Sequence, residues 1–147
     1  MAVGFDCLFL MNHMLDALLL VKTPTLLSAV YRDCLWKVPE KEKVIYLTFD
    51  DGPIPEVTPG ILDVLQQWNA IATFFCIGKN AVANKEILAR IANEGHSIGN
   101  HTYDHLNGWL QTNTAYYQNM EACNEALGEM LHSRESLPLF RPPYGKL

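Results

Sequence analysis

From residue 44 onward, short apolar runs rich in β-branched and aromatic residues alternate with segments of helical periodicity. VIYLTF (44–49) reads as a strand buried on both faces, and DDGPIP stops it. Thr58-Pro59 then predicts an N-cap with proline at the first helical position, and Ile61, Leu65 and Trp68 follow at helical spacing. ATFFCI (72–77) is a second buried strand. Asn84 is placed to cap a helix carrying Ile87, Leu88 and Ile91 on one side, and Gly95 to end it in a left-handed conformation. HSIGN (96–100) reads as a short third strand. Thr112 or Thr114 opens a long helix with Tyr116, Met120, Cys123, Leu127 and Met130 or Leu131 on one stripe, and LF (139–140) is a short fourth strand. The order β-α-β-α-β-α-β specifies an α/β fold: a parallel sheet with covering helices, open or closed into a barrel. In both architectures chemistry gathers at the carboxyl ends of the strands. Those ends carry Asp50-Asp51, Asn100-His101 and Arg141, so three separate strand ends are expected to converge on one rim.

The 147 residues suit one domain, with PEKEK (39–43) separating an extension, residues 1–37, from the main pattern over 38–147. Only 11 Lys plus Arg and a net charge of −5 argue against a nucleic-acid partner, which needs a basic stripe. Cys7, Cys34, Cys76 and Cys123 form no CxxC pair, so reduced, partly buried thiols are expected rather than a zinc knuckle or a disulfide framework. The apolar run 7–21 is interrupted by Asn12, His13 and Asp16 and falls short of the about 20 residues that a spanning helix needs. No positive charge precedes Lys22, as a secretory signal would require. The run is expected to be an amphipathic helix and not a transmembrane one. With no export signal legible, the cytoplasm is the default expectation and association with the cell envelope the alternative. No pattern sets an oligomeric state.

Three clusters carry chemistry. In TFDDGP, two adjacent carboxylates at a strand end repel each other unless a cation or an Arg neutralises them. Neighbours on extended backbone point different ways, so one Asp can ligate a metal while the other faces a substrate. In HTYDH, His101 and His105 would share a face on a helical turn and could both reach one Zn²⁺. In RPPYG, two prolines stiffen the backbone beside Arg141, a permanent cation able to hold a carboxylate. Each has a plainer reading alone: a turn, two surface histidines, a loop with a solvated Arg. Together, Asp plus two His leave coordination positions open, a second Asp supplies a base, and an Arg orients it. This is the inventory of metal-assisted hydrolysis.

TFDDGP, HTYDH and FRPPYG, in this order and with ATFFCIG and EGHSIGNHT between them, resemble the first three motifs of the polysaccharide deacetylases, the NodB-homology domain of carbohydrate esterase family four. The resemblance covers roughly residues 38–147. It implies a distorted (β/α) barrel and metal-dependent removal of acetyl groups from N-acetylated sugars such as chitooligosaccharide or a peptidoglycan-like glycan. It implies Asp50 as the general base and Asp51, His101 and His105 as ligands of a divalent ion, zinc in the usual case, with Co²⁺ or another divalent ion as alternatives. Arg141 matches the residue that orients the base. Tyr144 matches the position whose backbone N–H helps to stabilise the oxyanion, and Pro143 the rigid wall beside the substrate. His96 has no matching chemistry and is expected to be structural.

The family's general acid is a histidine of a later motif, beyond RPPYG, and the sequence stops two residues after Gly145. The expectation is therefore an incomplete barrel, its first four or so β/α units, that binds metal and deacetylates poorly alone. Two alternatives stand beside it: a non-catalytic sugar- or metal-binding remnant, and an O-acetyl esterase of the acetylxylan type.

Overall fold

The computed structural model describes residues 43–131 and 139–145. Strands β1 (Leu47–Asp50), β2 (Ala72–Cys76) and β3 (Ser97–Asn100) form a parallel sheet in the order β1-β2-β3. Parallel neighbours require crossovers. Helix α1 (Thr58–Gln67) supplies the first, and α2 (Gly78–Ala83) with α3 (Lys85–Asn93) the second. Helix α4 (Asn113–Met130) follows a turn of 3-10 helix at Gly108–Leu110. The arrangement is α/β and matches part of a (β/α) barrel.

The register places Asp50 opposite Phe75 and Cys76 opposite Asn100, so the three carboxyl ends lie at one level. The expected fourth strand is a single parallel bridge between Asn100 and Phe140. The Asn100 N–H donates to the Leu139 carbonyl at 2.8 Å and the Arg141 N–H to the Asn100 carbonyl at 3.0 Å. Short as it is, this bridge delivers Arg141 to the same rim. The core lies between the sheet and the helices, around Phe74, Leu62, Leu88, Ile91, Ile98 and Leu127.

Several local expectations need correction. The run 44–49 is not buried on both faces: β1 is an edge strand of the described sheet, and Ile45 is 84 % exposed. Val57, not Thr58, is the N-cap of α1, and the Thr58 hydroxyl instead accepts the Ile54 N–H at 2.8 Å, bracing the turn before the helix. Asn84 does stand at the N-cap of α3. Its amide nitrogen, however, donates to the carbonyls of Pro53 (3.2 Å) and Asn80 (2.9 Å) instead of its side chain capping the helix. Helix α2 had no counterpart in the sequence reading. Gly95 ends the α3 turn at φ +83°, and Thr112 caps α4 by accepting the Ala115 N–H at 3.3 Å, both as the pattern indicated.

Cys76 and Cys123 are free and buried. Burial, and in second place the proximity of Cys123, pushes the Cys76 thiol up to about 12; burial also pushes Cys123 up to about 11. Both are therefore protonated and unreactive at neutral pH. His96 packs on Phe74 and is buried, its Nδ1 facing the Ala72 N–H at 3.4 Å and its Nε2 lying 3.8 Å from Glu94 Oε2. No helix among the described residues is long and apolar enough to cross a membrane. The expected helix in 1–37, with Cys7 and Cys34, lies outside the described residues.

Candidate active site

Asp50 is the last residue of β1, and Asp51 turns the chain away at φ +68°. That value is uncommon for a residue with a Cβ and persists only where the surroundings hold it. Here Asn80 Nδ2 donates to the Asp51 carbonyl at 2.8 Å, and the Ile77 N–H to the Gly52 carbonyl at 3.0 Å. The turn sends the adjacent carboxylates to different partners. Asp50 Oδ1 is 2.6 Å from Arg141 Nη1. Asp51 Oδ1 is 3.4 Å from His101 Nε2 and 3.1 Å from His105 Nε2. Arg141 is itself fixed, donating to Thr48 Oγ1 at 3.0 Å and lying 4.1 Å over the Phe75 ring. A cation that close to an aromatic face is attracted by the ring.

The two histidines do not share a helical turn, as their i, i+4 spacing had suggested. Residues 101–105 form a loop in which Thr102 (φ +62°) and His105 (φ +57°) are both left-handed. The loop still brings the rings together, with centroids 5.1 Å apart. His101 Nδ1 lies 2.6 Å from the Arg141 carbonyl, which can only accept, so Nδ1 carries the hydrogen and Nε2 offers its lone pair. One donor atom from each of Asp51, His101 and His105 lies within 4.8 Å of the others. Donors each about 2.0–2.1 Å from a tetrahedral ion stand about 3.4 Å apart, so this set fits a divalent ion with positions left open.

The three donors, Asp50 and Arg141 line one cleft of about 590 Å³, completed by Pro142, Tyr144 and Gly145. Tyr144 sits in a tight turn at φ +58°, its ring edge-on to His105 at 4.7 Å. Pro143 is fully buried and is not among the lining residues; Pro142 takes that side of the cleft.

With that geometry in place, comparison with known proteins is decisive: the profile of the family described as polysaccharide deacetylase matches residues 37–147. The chain belongs to the polysaccharide deacetylase family. It is 46 % identical over 109 residues to a peptidoglycan-N-acetylglucosamine deacetylase of Bacillus cereus, covering 74 % of this chain and 39 % of that protein. It is 37 % identical over 109 residues to a chitooligosaccharide deacetylase of Azorhizobium caulinodans, covering 74 % of this chain and 51 % of that protein. Among solved structures it resembles peptidoglycan deacetylase PdaC from Bacillus subtilis, with TM-score 0.68 and 34 % identity over 75 % of this chain and 54 % of that one. The chain thus spans about half, or less, of the length of these relatives.

Several residues that build the site have no motif role to mark them in the sequence. Thr48 and Phe75 hold Arg141. A Cβ at Gly99 would stand 2.6 Å from Phe75 Cδ1, so only glycine leaves room for that ring. Helix α2 ties both site loops together. Asn80 holds the Asp51 turn, while the N–H groups of Gly78 and Lys79 donate to the Thr102 and Tyr103 carbonyls at 3.0 and 3.1 Å. The one sequence signal was a glycine directly after a buried strand, which can mark a close backbone approach. A Cβ at Gly78 would meet Tyr103 Cδ2 at 2.5 Å and Tyr103 Cα at 3.1 Å. Gly78→Ala is therefore expected to push the histidine loop outward, costing about 1–3 kcal/mol as overpacking does and weakening ion binding. Thermal unfolding and a metal titration of the variant check this; unchanged values in both would show that the loop yields freely.

Proposed function

We propose that the chain holds the base and the metal ligands of a hydrolase site that removes acetyl groups from N-acetylated sugars, with zinc as its ion. The observation that carries this reading is the opposite employment of two neighbouring carboxylates. Asp50 faces a fixed guanidinium, and Asp51 faces two imidazoles, in one cleft. A divalent ion at Asp51, His101 and His105 would polarise the acetamide carbonyl and make a neighbouring water more acidic. The Arg141 contact aims the Asp50 carboxylate, so that its free oxygen accepts a proton as the water oxygen bonds to the carbonyl carbon. The backbone N–H of Tyr144 is the chain's own donor for the oxyanion; such donors are worth about 2.7–4 kcal/mol in other hydrolases. The carbon–nitrogen bond then breaks as the proton taken up by Asp50 passes to the departing nitrogen, giving acetate and the free amine and returning Asp50 to its carboxylate form.

The relatives named above are described as acting on peptidoglycan N-acetylglucosamine and on chitooligosaccharide. The substrate class proposed is accordingly a β-linked glycan bearing N-acetylglucosamine. The test is release of acetate, with appearance of free amine, from N-acetylated chitooligosaccharide and from peptidoglycan by the zinc-loaded chain. Release from acetylxylan alone would establish an esterase. Oligosaccharide binding without any release would establish a non-catalytic module. Either result overturns the proposal.

A further inference from the structure

We propose that Asn119 of α4 is a positioning residue for the metal loop, acting through a two-point clamp on Asp104. This rests on the metal-site reading above. The loop from His101 to His105 carries two ligands and two left-handed residues, so its shape must be imposed from outside. Part of that restraint comes from α2, through Gly78 and Lys79. On the other side stands Asn119, whose backbone carbonyl accepts the Tyr103 N–H at 3.1 Å and whose carboxamide adds the contacts specific to its side chain. Asn119 Oδ1 accepts the N–H of Tyr103 at 2.9 Å and of Asp104 at 3.0 Å. Asn119 Nδ2 donates to Asp104 Oδ2 at 2.8 Å. Asp104 is thus held by main chain and side chain together, between left-handed Thr102 and the ligand His105, itself left-handed.

The chemistry of the clamp is specific. It needs an acceptor for two N–H groups and, on a separate atom, a donor for a carboxylate, which the asparagine carboxamide provides and alanine or ionised aspartate does not. A second carboxamide network anchors the start of the loop. Asn100 Oδ1 accepts the Thr102 N–H at 2.7 Å, and its Nδ2 donates to the Met120 carbonyl and to Asn124 Oδ1, both at 2.8 Å. Helix α4 therefore does more than bury the stripe of Tyr116, Cys123 and Leu127: its asparagines grip the loop that presents the imidazoles. Asn119 is neither one of the three donors nor a lining residue of the cleft, so it is not a catalytic residue.

The test uses the full chain with Co²⁺ as probe. Affinity is read by chelator competition, ligand geometry by the visible absorption band, and folding by the melting temperature of the metal-free protein. Asn119→Ala and Asn119→Asp are expected to weaken Co²⁺ binding about 10–100-fold, as losing an outer-shell partner does, and to shift the band. The exchange variant Asn119→Asp with Asp104→Asn swaps donor and acceptor across the same contact, and is expected to recover wild-type affinity and spectrum. That rescue separates positioning from general loss of packing, and it remains readable even if the alanine variant fails to fold. Single variants that bind Co²⁺ with wild-type affinity and spectrum overturn the inference, as does an exchange variant no better than Asn119→Asp. A wild-type chain that binds no Co²⁺ overturns the metal reading itself, a distinct result that needs no variant.

Discussion

Asp50→Asn is expected to leave the ion in place and to lower kcat/KM for deacetylation by about 10²–10⁴-fold, the range over which a positioned base contributes. The carboxamide can still accept from Arg141 Nη1, now 2.6 Å from Asp50 Oδ1, so the guanidinium keeps its place over Phe75. What is lost is basicity. Asp51, the adjacent residue, keeps its own contacts with His101 and His105 because the left-handed turn separates the two side chains. Turnover and bound zinc, measured on the same preparation, check this. Full turnover, or loss of the ion along with turnover, would show that the two aspartates do not divide the work as described.

The second large effect is expected from His105→Ala. Its ring supplies one of three donor atoms and packs edge-on against Tyr144. Ion affinity should fall by more than the about 10–100-fold that loss of an outer-shell partner costs, with activity lost in parallel. The side chain is partly exposed, unlike the buried His101, so the metal-free fold should survive the substitution. Added imidazole should restore part of the binding by filling the vacated place. Metal titration with and without imidazole gives the measurement; unchanged affinity would remove His105 from the ligand set.

The parts of this molecule that could be read from sequence are those whose cause is local. Strand ends, the turn at Asp50-Asp51, the left-handed Gly95 and the stripe of α4 follow from composition and period over a few residues. The parts that could not depend on distant neighbours. The run 44–49 has the composition of a buried strand, but exposure is set by what packs on it, and β1 lies at the edge of the described sheet. Helix α2 is six residues long, too short for an amphipathic period, and only Ile77 separates it from β2. The i, i+4 spacing of His101 and His105 suggests a helix, whereas left-handed loop backbone, held by α2 and α4, brings the rings together. Asn119 was invisible because a polar residue on a long helix reads as solvated until the loop it grips is known. Pro142 lines the cleft and Pro143 is buried, a difference that depends on how the loop packs and not on its spacing.

X-ray absorption at the zinc edge, on the chain loaded to one ion, reports directly what surrounds that ion. Two imidazole nitrogens and at least one oxygen at about 2.0–2.1 Å, with the outer-ring scattering that histidine gives, are the expected result. A shell of oxygen alone, or one containing sulfur, would contradict the assignment of Asp51, His101 and His105.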